Sequence, residues 1–238
     1  MNQSTYSTTG QLQFSPNSAV KILLGAFYLL LLGNLFALVL VHIFSAEDAY
    51  GLVPLLYFDH EENLPTLFSV LLIVAASASC FAVAYNTMTR ERNYWYALSL
   101  IFTFLALDEY SSIHERLIQP VRNILSTDGF FHFAWIIPYA VFVLILAAIF
   151  FKWLFNLPRP TRNGLILSAI IYLTGVFILE GISGYFYETG AEHQGLIYDL
   201  IITVEESLEM LGLITFLYVV IYYLIHHLDI KGISFQRQ

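Results

Sequence analysis

Charge is scarce in this chain: Asp, Glu, Lys and Arg make up 12% of its 238 residues, while 58% of them are apolar. That is roughly half the charged fraction of an ordinary soluble protein, and it points to lipid as the solvent for most of the surface. Cysteine is scarcer still. The single Cys80, set in "ASASCFAVA", rules out a disulfide framework and a thiolate metal site and reads as a small packing residue. Positive charge is also short, with ten Lys and Arg against eighteen Asp and Glu for a net −8. Binding to phosphate backbones needs clustered basic side chains, so nucleic acid is excluded as a partner. No Gly-rich phosphate loop, heptad run, internal repeat or soluble domain is visible.

What is present is a series of long apolar runs. A helix crossing the hydrocarbon core needs about 20 mostly apolar residues, and six stretches qualify: Val20–Phe44, Leu64–Tyr85, Tyr94–Leu117, Phe133–Phe151, Gly164–Phe186 and Tyr198–Ile225. The segments between them, such as "TMTRERN" and "NLPRPTRN", carry the Pro, Asn and charges expected of loops. The expected fold class is therefore all-α, an integral membrane bundle of six transmembrane helices in a lipid bilayer. It divides into a polar tail (1–19), the transmembrane domain (20–226) and a C-terminal tail (227–238). The first apolar run is too long for a signal-peptide core and is expected to remain as an anchor. Basic residues are retained on the cytoplasmic side. With both termini inside, Lys21, Arg90, Arg92, Lys152, Arg159, Arg162, Lys231 and Arg237 are cytoplasmic, leaving Arg116 and Arg122 outside. A bacterial plasma membrane is the commoner setting for that bias, which thylakoid membranes share.

This topology places the intramembrane acids in one layer. The third helix ends in "LDEYSSIHERL", and Asp108 is expected roughly 13 Å below Leu117. Glu180 is expected roughly 9 Å from the outer end of the fifth helix, and Glu205, Glu206 and Glu209 roughly 10–16 Å down the sixth. Residues three, four and seven apart share a helix face. Asp108, Ser111, Ser112 and Glu115 accordingly form one stripe, with His114 on its shoulder. Asp199, Glu205, Glu206 and Glu209 fall within an arc of roughly 120°. Glu109 points about 100° away from Asp108 and is expected to serve a different contact. Acids in a membrane are costly and are functional candidates by default. The primary candidates are thus Asp108, His114, Glu115, Glu180, Glu205 and Glu209. Glu109, Glu206, Asp199, His132, His193, Asp59 and Glu61 are secondary, with the Asp59–His60–Glu61 segment reading better as a solvated loop.

Seven acids (Asp108, Glu109, Glu115, Glu180, Glu205, Glu206 and Glu209) meet only Arg116 and Arg122 as fixed positive charges. Protons or a bound cation must make up the balance. His42, His60, His114, His132 and His193 all map to the same half, which suits a divalent metal such as Mn, Fe, Mg or Ca and a metal-dependent membrane enzyme acting on a small-molecule or lipid substrate. The Glu-x-x-His spacing of ferritin-like di-iron bundles is missing, as are the dense His boxes of membrane desaturases. Two alternatives stand beside it: proton- or cation-coupled transport, with a homodimer supplying further helices, and a structural or assembly role for the acid network.

Three segments, "FDHEENLPTLFS" (Phe58 to Ser69), "LDEYSSIHE" (Leu107 to Glu115) and "EESLEMLG" (Glu205 to Gly212), resemble the pattern of a group of uncharacterised bacterial multi-pass membrane proteins. The resemblance spans the second, third and sixth helices. It implies an integral membrane protein and adds no catalytic role.

Overall fold

A backbone in lipid must satisfy its own hydrogen bonds, so the long apolar runs become helices. The computed structural model describes residues 11–13, 15–190, 195–228 and 232–234. In chain order the main elements are α1 (Pro16–Phe44), α2 (Leu52–Leu56), α3 (Leu64–Asn86), α4 (Arg92–Ser111), α5 (Ile113–Arg116), α6 (Ile118–Leu125), α7 (Ile136–Asn156), α8 (Arg159–Leu173), α9 (Glu180–Glu188) and α10 (Leu196–His226). Five continuous helical segments are long and apolar enough to cross a membrane: α1, α3, α7, α8 through α9, and α10. Two three-residue strands, β1 (Gln11–Gln13) and β2 (Gly232–Ser234), pair antiparallel and bring the two ends of the chain together. The end of the bundle beside them carries Lys21, Arg90, Arg92, Lys152, Arg159 and Arg162. We call it the terminal end and the opposite one the acidic end.

α10 is the axis. It packs against α1, α3 and α8, burying Met210, Leu213, Leu217 and Val220 against Phe27, Leu72, Ala76 and Val83. Cys80 is free and fully buried in the same core. The closest approach is made at glycine. A Cβ on Gly212 would meet backbone atoms of Tyr172 at 2.8–2.9 Å, so only hydrogen there lets α8 and α10 touch. α3 and α4 pair along their length, where Ser77 Oγ donates to the Ser99 carbonyl at 2.8 Å.

The third helix departs from its expected course to Leu117. α4 stops at Ser111, and Ser112 adopts a left-handed conformation (φ 47°, ψ 47°). The Asp108 carboxylate explains why the break is tolerated: its Oδ1 accepts the His114 backbone N–H at 2.8 Å, replacing a lost helical acceptor. Asp108 and Glu115 are therefore no longer on a common helical stripe, and Glu115 swings away on α5.

α7 is the second departure from a regular bundle. Its buried residues are confined to its two ends, Ile136 at one and Phe150 and Trp153 at the other. At the terminal end Trp153 stacks on Tyr94 (5.5 Å between ring centres) and meets Trp95 edge-on (5.1 Å). At the acidic end Trp135, just before the helix, packs on His114 (4.8 Å). Between these clamps α7 stands off from the bundle, leaving an interior space. Between α8 and α9 the chain forms a π-turn, Thr174–Leu179, of the kind common near functional sites. Gly175 lies in it, and a Cβ there would sit 2.9 Å from the Glu205 carbonyl.

Candidate functional site

The space left by α7 is a cavity of about 630 Å³. Four helical walls supply residues at helical spacing. On α4 these are Leu98, Ile101, Phe102, Leu105, Asp108 and Glu109; on α10, Glu205, Glu206, Glu209, Gly212, Leu213 and Phe216. The α4 and α10 walls are carboxylate at the acidic end and hydrocarbon at the terminal end, while the α7 wall is aromatic and aliphatic throughout. Among the described residues, Asp59, Glu61, Asp108, Glu109, Glu115, Glu180, Glu205, Glu206 and Glu209 line this one cavity, nine carboxylates, and no Lys or Arg lines it.

The acids are engaged in pairs. Asp108 faces its neighbour's ring, with Oδ2 3.4 Å from His114 Nδ1. Trp135 Nε1 donates to Glu180 Oε1 at 2.9 Å. Glu180 in turn meets Glu205 carboxyl to carboxyl, while Glu205 Oε2, on a side chain only 5% exposed, has no hydrogen-bond partner. Ser112 Oγ donates to Glu61, which also contacts Glu115. Among the described residues no three His, Cys, Asp or Glu side chains converge as a metal site. The expectation of a divalent metal is thus not supported: the acids are spread along the walls, and Asp108 is already paired with His114.

The loop read as solvated is exposed, and it forms part of the wall as well. Asp59, His60 and Glu61 line the cavity mouth, and Glu109 faces the same cavity as Asp108, not a separate contact. Two asparagines that sequence reasoning missed hold the loop in place. Asn34, 1% exposed on α1, accepts the Phe58 N–H at 2.9 Å and donates to Thr203 Oγ1 at 2.8 Å. Asn63 donates to the Tyr57 carbonyl at 2.6 Å and caps α3 by accepting the Thr66 N–H at 3.0 Å. The signal for Asn34 was a lone amide within "LLLLGNLFALVL", since a polar group in lipid needs a partner.

Two other candidates lie apart from the cavity lining. Asp199 pairs with His42 of α1. His132 lies 3.4 Å from Arg122 Nη1 and 3.7 Å from Glu188 Oε2. His193 lies outside the described residues.

At the mouth, outside the spans, protonation is shifted by identifiable neighbours. Burial pushes the Asp59 carboxyl up to about 7, helped by the negative charge of Asp199. Glu115 is likewise raised to about 7, by burial and then by its contact with Glu61. Burial also acts on Glu61, but hydrogen bonds from Glu115 and Ser112 outweigh it and hold this carboxyl below its usual value. The pair therefore shares a proton, with Glu115 as donor. Burial disfavours the His114 imidazolium, yet Asp108 overcomes that and raises its pKa.

A family model described as a domain of unknown function, DUF8692, matches residues 22–223, and the chain belongs to that family. No curated protein and no solved structure matches it. The match agrees with the resemblance to an uncharacterised family and assigns no activity.

Proposed function

We propose that this member of a family without an assigned activity is a six-span membrane protein with both termini cytoplasmic, whose acidic cavity exchanges protons for a cation, as the binding site of a proton-coupled cation transporter. The observation that carries this reading is the lining itself: among the described residues, nine carboxylates, two histidines and no Lys or Arg surround one cavity. Each ionised group in the membrane costs on the order of 3 kcal/mol even on the mildest scale, and like charges raise that cost. The full set cannot be ionised together in the empty cavity. Protons balance it when no cation is present, and a cation entering the cavity releases them.

Six spans are supported by α4, whose 20 residues extend about 30 Å, the thickness of the hydrocarbon core. Its cavity-facing acids lower its hydropathy below that of the other five. The pairing of β1 with β2 also favours an even number of crossings, since it keeps both chain ends on one side. The six described basic residues at the terminal end, against Arg116 and Arg122 at the other, support a cytoplasmic terminal end, as in a bacterial plasma membrane.

The test is proton release from the reconstituted protein, read with a pH-indicator dye as tetramethylammonium, Mn²⁺, Mg²⁺ or Ca²⁺ is added. The expected result is saturable release with an organic cation, lost in a Glu205→Gln/Glu209→Gln double variant that folds. Organic-cation binding without proton release would overturn the exchange reading. Stoichiometric binding of a divalent ion in its place would restore the metal-dependent one.

A further inference from the structure

The cavity is far longer than a small cation requires, and its polarity is split along its length. From Glu205 to Phe216 on α10 the lining descends about 16 Å, and from Asp108 to Leu98 on α4 about 15 Å. Over that distance it changes from carboxylate to Leu, Ile and Phe. The cavity's volume of about 630 Å³ falls within the range of sites that enclose an organic ligand. At its acidic end the Glu205 Oε2 acceptor is buried, unpartnered and on the cavity wall. Such an orphaned acceptor costs free energy unless a donor or a cation arrives.

A route from the bilayer lies beside it. On the lipid side of α7 and α8 an apolar groove of about 440 Å³ is lined by Leu154, Leu165, Ala169 and Leu173, among others. These four residues also line the central cavity. These shared residues thus form the partition between the chamber and the groove. The neighbouring middle of α7 has no fully buried residue, and half-buried Leu146 packs on the core there.

We infer that the cation is the head of a single-chain amphiphile, an alkylammonium whose charge sits against Glu205 and Glu209 and whose hydrocarbon chain fills the apolar half of the cavity, reached sideways between α7 and α8. This rests on the exchange reading above and adds the substrate class. Carboxylates reject anionic heads. An uncharged head would leave the protons in place and drive no exchange, whereas an ammonium is drawn both to carboxylate and to aromatic faces, and Trp135 and Tyr198 line the same end.

The three tryptophans permit a positional test. Trp135 lies at the acidic end and Trp153 at the apolar floor, with Trp95 packed on Trp153. Dodecyltrimethylammonium carrying bromine at its terminal carbon is titrated into the protein in nanodiscs, at low mole fraction, and tryptophan quenching is followed. A second probe carries bromine next to the head. The terminal bromine is expected to quench a Trp135→Phe protein saturably, and the head-proximal bromine a Trp153→Phe protein. Reversed positions would overturn the orientation. Ala169→Phe, which fills the partition, is expected to weaken the dodecyl probe on the order of tenfold or more.

Wild-type protein supplies the control that needs no variant. Brominated dodecanoate must give no saturable quenching, and if it quenches as well as the ammonium the head assignment falls. If tetramethylammonium releases protons and displaces the dodecyl probe at equal concentration, the chain assignment falls while the exchange reading stands. If neither cation releases protons, both readings fall together.

Discussion

Asn34 is the residue whose removal should do most for its size, because one amide ties a transmembrane helix to both α10 and the Asp59 loop. Asn34→Leu keeps the volume and deletes both hydrogen bonds. The buried Phe58 N–H then loses its acceptor, a penalty of about 1–3 kcal/mol. The bond to Thr203 adds the ~0.6 kcal/mol typical of an interhelical hydrogen bond in a membrane, with ~1.7 kcal/mol as the upper end. Thr203 itself is not stranded, since its hydroxyl still donates to the Asp199 carbonyl at 2.7 Å. The expected loss is about 2–4 kcal/mol in SDS-driven unfolding of the detergent-solubilised protein. A cycle with Thr203→Val should isolate a coupling of ~0.6 kcal/mol. The loop is read independently by a spin label. Cys80 is the only cysteine in the sequence and is fully buried, so His60→Cys offers one accessible thiol. Its label should be immobile with Asn34 and mobile with Asn34→Leu. A stability change within about 0.5 kcal/mol, together with an unchanged spectrum, would refute the assignment of Asn34 as the tie.

Three further expectations follow from single contacts. Asp59 has a folded pKa raised to about 7, against roughly 4 in an unfolded chain. Its contribution is therefore fully present below about pH 4 and is lost as pH rises through about 7. Asp59→Asn should abolish that part of the stability decline, and an identical pH dependence in both proteins would contradict it. At the break after α4, Asp108→Ala removes the acceptor of the His114 N–H and should cost ~0.5–2 kcal/mol, as for a lost helix cap. Asp108→Asn, which keeps an acceptor, should recover most of that in a thermal melt; equal losses would mean that charge alone matters. Gly212→Ala drives a methyl to within 2.9 Å of the Tyr172 backbone and should destabilise by ~1–3 kcal/mol, whereas a neutral result would show that α8 moves freely against α10.

The helices were legible because lipid imposes a long, uninterrupted apolar run. The boundaries of α1 and α10, and the start of α3 at "NLP", needed little beyond the length of the apolar runs. Helical spacing also placed Glu205, Glu206 and Glu209 on one side of α10. The break at Ser112 was not legible, because "LDEYSSIHERL" has the spacing of a continuous helix and the compensating hydrogen bond, Asp108 to the His114 N–H, exists only once the chain has turned. Nor was the role of "FDHEEN". Its acids look like a wet loop until Asn34, 24 residues earlier, holds the Phe58 N–H.

By itself the sequence determined the solvent, the helices and the excess of acid over base, since each follows from local composition and a backbone that must bond to itself in lipid. Only the tertiary structure decided which acids share a wall, which pair with histidine or with one another, and that Glu205 Oε2 is left without a partner. Those outcomes depend on where α7 stands relative to α4 and α10. That in turn depends on contacts at its two ends, Trp135 to Glu180 and Trp153 to Tyr94, between residues 45 or more positions apart. Periodicity within one helix carries no information about such partners.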